Sequence, residues 1–199
     1  MAKTKRIERD RYLTPRWMTE SLLHHVPEIH GRLVEPCVGD GAISRVLVGA
    51  DRAEYVVTND IDPAMPADSH HDAAAPVFWS QFGARFGRPD WVISNPPWSM
   101  PADGPALPVE ILKHALATSR VGVALLLRIT FLEPCRNRGA WLDAHPPSRQ
   151  IVLPRYSFRG NGATDSATAC WFIWSHESLS GPPIVVDHAA MTRGEQVRA

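Results

Sequence analysis

The 199-residue chain lacks most of the features that would place it in a class at once. It has no net charge at neutral pH, with 21 basic and 21 acidic residues, so composition neither demands nor excludes a nucleic-acid partner. Its three cysteines, Cys37, Cys135 and Cys170, are far apart and form no paired metal-ligand spacing. They fit a reducing compartment as buried side chains. No run approaches the ~20 apolar residues of a membrane-spanning helix. The start is basic and polar, which is not the pattern of a signal peptide. A cytoplasmic protein with no membrane partner is expected. Internal repeats and domain linkers are missing too, so residues 1–199 read as one domain, with a basic arm at 1–11 and a polar tail at 187–199. A full dinucleotide fingerprint and a phosphate-loop lysine are also lacking.

What is present centres on Asp90 to Ser99, Asp-Trp-Val-Ile-Ser-Asn-Pro-Pro-Trp-Ser. Trp91, Val92 and Ile93 read as a short buried strand. Two prolines stop it, because they have no N–H to continue a ladder. Each also keeps its predecessor out of the α region, so Asn95 and Pro96 are expected to be extended. The product is a stiff turn with a carboxamide, nearby carbonyls that join no helix, and the aromatic plane of Trp98. Such a turn suits a flat ring that carries an amine.

Upstream, residues 33–35 read as a strand, Pro36-Cys37-Val38-Gly39-Asp40-Gly41 as a tight loop, and 42–49 as a helix. Strand, glycine turn and helix together open a ligand site at the end of a first α/β strand. A second strand at 54–58 ends on Asn59-Asp60-Ile61-Asp62-Pro63, and an acid about twenty residues past the glycine loop can accept from both hydroxyls of a ribose. His70-His71-Asp72 follows. Adjacent histidines point apart, so a metal site is a minor reading, and the Asp72 carboxylate can accept from an exocyclic amine. Nearer the start, Thr14 is expected to cap a helix that begins at Pro15 and stops at Pro27. Residues 99–108, rich in Pro, Gly and Ala, read as a mobile lid. Further strands are expected at 121–127, 151–153 and 169–174, the last two as an antiparallel pair, and an edge strand at 184–186. Residues 129–145 give no clear pattern. Between the paired strands, Arg155, Tyr156, Phe158 and Arg159 mix cationic and aromatic side chains, which suits phosphates plus a stacked base or simply a surface loop. The basic arm equally suits phosphates or plain solvent.

Four stretches, taken in order, resemble the amino-methyltransferases that use S-adenosylmethionine, above all the DNA adenine-N6 group. They are Tyr12-Leu13-Thr14-Pro15, Glu35-Pro36-Cys37-Val38-Gly39-Asp40-Gly41, Asn59-Asp60-Ile61-Asp62-Pro63 and Asn95-Pro96-Pro97-Trp98. The order is similar to the family's gamma arrangement and spans residues 12–174. The resemblance implies a Rossmann-like α/β fold: a seven-stranded, mostly parallel sheet with one antiparallel strand and helices on both faces. It implies that Tyr12 and Thr14 contact the methionine end of the cofactor. Glu35, Pro36 and the Gly39-Asp40-Gly41 backbone would hold its amino-acid part. Asp60 would take the ribose, Ile61 would pack on the adenine, and Asp72 would meet the adenine amine. Asn95, Pro96, Pro97 and Trp98 would hold the target base, with Phe158 or Tyr156 on its other face and Arg155 and Arg159 on phosphates.

Only about 25 residues follow the last strong strand, where restriction-type members carry a large recognition region. Little intrinsic sequence specificity is therefore expected, as in a small phage-type enzyme. Recognition would come from the basic arm, a second copy of the chain or a partner. RNA and a protein glutamine are rival substrates, since both are held by Asn-Pro-Pro-aromatic turns. A cofactor- or nucleic-acid-binding module without turnover is the rival from another class.

Overall fold

The computed structural model describes residues 13–98, 106–133, 139–156, 168–177 and 179–187. In chain order the elements are α1 (Arg16–His25), β1 (Gly31–Glu35), α2 (Ala42–Gly49), β2 (Ala53–Thr58), α3 (Pro76–Phe86), β3 (Trp91–Ser94), α4 (Leu107–Thr118), β4 (Gly122–Arg128), a 3-10 turn (Ile129–Leu132), α5 (Gly139–Ala144), β5 (Arg149–Val152), β6 (Ala169–Ser175) and β7 (Ile184–Val185).

The strands form one sheet in the order β2-β1-β3-β4-β6-β5-β7. From β2 to β4 the neighbours are parallel, β6 runs against both β4 and β5, and β7 is parallel to β5. A single strand, β6, is therefore reversed, as expected. Because β1 lies between β2 and β3, the chain leaves it first towards one edge of the sheet and later towards the other. That change of direction opens a crevice at the carboxyl ends of β1 and β3, where open α/β sheets bind ligands.

Helices cover both faces, so the central strands are apolar on both sides instead of alternating. Trp91, Ile93, Ala124, Leu126, Trp171 and Ile173 face a core shared with Met18 and Leu22 of α1 and Ile43 and Leu47 of α2. Val92, Val123, Leu125, Phe172 and Trp174 face a second core with Phe78 and Phe82 of α3 and Leu112 of α4. Burying each such side chain contributes ~1.5–3 kcal/mol, so the two layers supply most of the driving force.

One expectation needs correction, and one helix had not been expected. Thr14 does not cap α1: the cap position falls to Pro15, no side chain bonds there, and the Thr14 hydroxyl instead accepts from Asn95. A tertiary partner outcompeted the local one. The helix α3 follows His70-His71-Asp72, in a stretch for which no element was expected. Its signals were Pro76 in the first turn and Phe78, Trp79 and Phe82 at helical spacing.

The tryptophans brace these layers. The indole N–H of Trp79 donates to the Ala73 carbonyl, Trp91 to Glu28, Trp171 to Met18 and Trp174 to His145. Trp171 is fully buried and ties β6 to α1 at 2.8 Å. Trp171→Ala removes this brace and leaves a large cavity, so it should cost about 3–5 kcal/mol. Urea unfolding is expected to show a lower midpoint with an unchanged slope.

Candidate functional site

The crevice holds a cavity of about 320 Å³, lined by the ends of β1, β2 and β3 and the first turns of α2 and α4. Its wall includes Thr14, Glu35, Pro36, Gly39, Asp40, Asp60, Ile61, Asp72, Asn95 and Pro97. Four stretches distant in sequence therefore share one space. Gly41 sits just behind the wall as the residue before α2, and Pro96 is buried beside it. Tyr12, Phe158 and Arg159 lie outside the described residues.

The loop after β1 is shaped by backbone no other residue adopts easily. Gly39 and Gly41 have φ of +54° and +81°, in the left-handed region where an L side chain is strained. A Cβ at Gly39 would meet nothing within 4 Å, so the loop's backbone faces open space. The Gly39 N–H donates to Asp60 Oδ2 at 2.9 Å, and the Asp62 N–H donates to Asp60 Oδ1 at 2.9 Å. Asp60 thus spans the glycine loop and the tip of β2. Each carboxylate oxygen has two lone pairs, so both retain capacity to accept from a diol.

Asn59 was quoted in the motif but given no role of its own. It is fully buried and uses its whole hydrogen-bonding capacity. Its amide nitrogen donates to the Pro36 and His71 carbonyls at 3.0 and 2.9 Å. Its oxygen accepts from the Ser69 hydroxyl and the His71 N–H at 2.8 and 3.0 Å. The sequence signal was weak: one polar residue at the end of a strand. Asp72, brought to the cavity by this hub, is exposed and accepts from the Ala74 N–H at 2.9 Å.

Electrostatically the cavity is one-sided. Glu35, Asp40, Asp60, Asp62 and Asp72 line it, and among the described residues no Lys or Arg does. The apolar lining comes from Leu13, Ile61, Met65, Leu107 and Ile111, with the Ile61 side chain 64% exposed at the mouth. Cys37, which sequence reading left as a buried thiol, is half-buried in the cavity floor. Desolvation, with Asp60 nearby, pushes its thiol up to about 12. It stays neutral and acts as wall, not nucleophile.

Glu35 is 1% exposed and its Oε2 accepts the Ser44 N–H at 2.9 Å. Burial raises its pKa well above the ordinary carboxylic-acid value, Asp40 adds to this, and the Ser44 hydrogen bond and Arg45 work against it.

At the end of β3, the Asn95 amide nitrogen donates to Thr14 Oγ1 at 3.1 Å, and the Trp98 indole donates to Asn95 Oδ1 at 2.9 Å and to the Leu126 carbonyl at 3.0 Å. Trp98 is half-buried against both cores, and the Arg128 guanidinium stands 5.5 Å from its ring centre. Arg128 is a further cation at this edge that sequence reading did not single out. A second cavity of about 410 Å³ shares Leu13, Thr14, Asp40 and Ala42 with the first and reaches Arg16, Arg45 and Tyr156. Tyr156 is half-buried with its ring edge-on to Trp17 at 6.1 Å, whereas Arg155 is exposed.

No family model and no curated protein matches the chain. Many solved structures resemble it in fold, among them the following three. A candidate RNA methyltransferase from Pyrococcus horikoshii has a TM-score of 0.61 at 16% identity, over 87% of this chain and 90% of that one. A candidate class I S-adenosylmethionine-dependent methyltransferase from Listeria monocytogenes has a TM-score of 0.60 at 11% identity, over 91% and 69%. A candidate hemolysin from Lactococcus lactis has a TM-score of 0.56 at 13% identity, over 95% and 99%. The fold is thus the Rossmann-like class I methyltransferase fold. No helix among the described residues is long and apolar enough to cross a membrane.

The buried acid makes stability depend on pH. The folded chain holds the Glu35 proton more tightly than the unfolded chain does. Stability is therefore lost as pH rises from about 4, the unfolded value, up to the raised folded value, and is level above it. Glu35→Gln keeps the Ser44 acceptor without the charge. In urea unfolding across this range it is expected to flatten the decline and to be at least as stable as the parent protein at neutral pH.

Proposed function

We propose that the protein transfers a methyl group from S-adenosylmethionine to the exocyclic N6 amine of adenine in DNA, with little sequence specificity of its own. The observation that carries this reading is an acid-lined cavity, with no described Lys or Arg in its wall, that contains the Asn95 carboxamide. The Asp60, Asp62 and Asp72 carboxylates, beside an Asp40 paired with Arg45 and a Glu35 that favours its proton, oppose a pyrophosphate and favour a cationic ligand with an amine, a diol and a flat ring.

The residues fit S-adenosylmethionine on that chemistry. Glu35 and the Gly39–Gly41 backbone would hold its amino-acid part, with Thr14 and Tyr12 at the same end. Asp60 would accept from the ribose, Ile61 would cover the adenine, and Asp72 would accept from the adenine amine. The cofactor supplies a methyl group already activated by a sulfonium. The chain's own task is therefore positioning and electrostatics. The amine of adenine is a poor nucleophile, because its lone pair is delocalised into the ring. Asn95 Oδ1 and the Pro96 carbonyl would each accept one amine hydrogen and draw the nitrogen towards a pyramidal shape. No strong base is needed before transfer, and the proton then passes to solvent or to these acceptors. Trp98 would cover one face of the base, with Phe158 or Tyr156 on the other.

In a duplex the base must leave the stack, at a cost of a few kcal/mol. Arg155, Arg159 and the basic arm would offset part of this through phosphates. RNA is the second reading, favoured by the fold likeness to the Pyrococcus horikoshii protein.

Nucleoside mass spectrometry after incubation with S-adenosylmethionine and duplex DNA, single-stranded DNA or RNA tests the proposal. N6-methyladenine is expected in DNA, reduced by at least ~100-fold in Asn95→Ala, which removes a group aimed at the reacting atom. Methylation confined to RNA would replace the substrate and keep the chemistry. Isothermal titration should find Asn95→Ala still binding S-adenosylmethionine. Glu35→Gln should bind it about 10–100-fold more weakly, the cost of one charge-assisted hydrogen bond.

A further inference from the structure

We infer that Trp98 serves the reaction through its indole N–H, as a positioning residue that clamps the Asn95 carboxamide together with Thr14. This rests on the adenine reading of the same site. An indole nitrogen can only donate. The amide atom facing it at 2.9 Å must therefore be the oxygen, and the NH2 must face Thr14 Oγ1, 3.1 Å away. Both ends of the carboxamide are tied, so its plane and its sense are set before any substrate arrives.

The clamp is itself anchored. The same indole N–H reaches the Leu126 carbonyl on β4 at 3.0 Å, and the ring packs against both cores under Arg128. Thr14 is buried just ahead of α1 and lines both cavities. The acceptor on β3 is thereby held between β4 and the segment that enters α1. A carboxamide oxygen has two lone pairs, so accepting from the indole is compatible with accepting from an incoming amine. Phenylalanine and tyrosine at position 98 would keep a flat ring but have no N–H at that place. Trp98 here resembles the other bracing tryptophans of this fold more than a freely presented platform.

The test separates the ring from the N–H. In methyl transfer to an adenine oligonucleotide, Trp98→Phe should lower kcat about 10-fold or more while the oligonucleotide KM changes less than about 3-fold. Thr14→Val should lower kcat similarly, and Thr14→Ser should recover most of the loss. The double variant Trp98→Phe/Thr14→Val should lose less than the product of the two single losses, because they disable one clamp. A Trp98→Phe variant with unchanged kcat and a raised KM would overturn the inference and leave Trp98 as a stacking surface. If the parent protein methylates no nucleic acid, the adenine reading fails, and the clamp is judged by the Trp98 indole N–H resonance. A shift of that resonance in Asn95→Ala and in Thr14→Val, with the other indoles unmoved, supports the clamp for another planar amine. An unmoved Trp98 resonance overturns it.

Discussion

The carboxamide of Asn59 is the constraint on which the site depends. It lies fully buried at the end of β2, and its four hydrogen bonds reach the loop after β1 and the segment at 69–71. The Asn59 carboxamide is itself fully buried, so each of its groups left without a partner would cost about 1–3 kcal/mol. Because the hub is satisfied in full, the turn carrying Asp60 has one position relative to the glycine loop. The Asp60 carboxylate then closes that gap from the other side by accepting the Gly39 N–H. One buried amide and one carboxylate convert two strand ends into a rigid wall.

That wall concentrates negative charge in a protein whose overall charge is zero. Asp60 offsets the cost by taking backbone N–H donors on both oxygens. Glu35 does so less well: the Ser44 N–H supports it, yet burial dominates and the group favours its proton. A buried acid with a raised pKa burdens the empty fold and rewards a cation that arrives beside it. Stability and ligand affinity are then in opposition at this one position, a common trade at binding sites.

Much of this was legible locally. Prolines after β1 and β3 mark where the strands must stop, and glycines mark the backbone that must bend. Both signals act within a few residues, so the strand ends are legible in the sequence, and with them the places of Glu35, Gly39, Asp60, Ile61 and Asn95 at or just past those ends. What stayed hidden depends on distant partners. Nothing near Thr14 says that its hydroxyl belongs to Asn95, 81 positions away, instead of to its own helix. The cap preference was real and lost to the half-buried Asn95 carboxamide, whose NH2 takes the Thr14 hydroxyl as acceptor. The α3 helix was hidden because its apolar face is aromatic, and aromatic residues favour strands as readily as helices.

The resemblance gives Trp98 one role, a plane against the base, and the hydrogen bonds of its N–H point to another, so the choice between them is a matter of geometry. A ring that only stacks gains from being movable, since it can follow the base into place. A ring whose N–H holds both a strand carbonyl and the Asn95 oxygen gains from staying still. The amine of adenine is weakly nucleophilic, so the demanding step is orienting its hydrogens, not gripping its faces. A half-turn of the Asn95 carboxamide would exchange an acceptor for a donor, and a rotation of a few tens of degrees would aim its oxygen away from the amine. Rigid support at the acceptor therefore contributes where stacking cannot, and stacking can be shared with an aromatic side chain from the opposite side of the base.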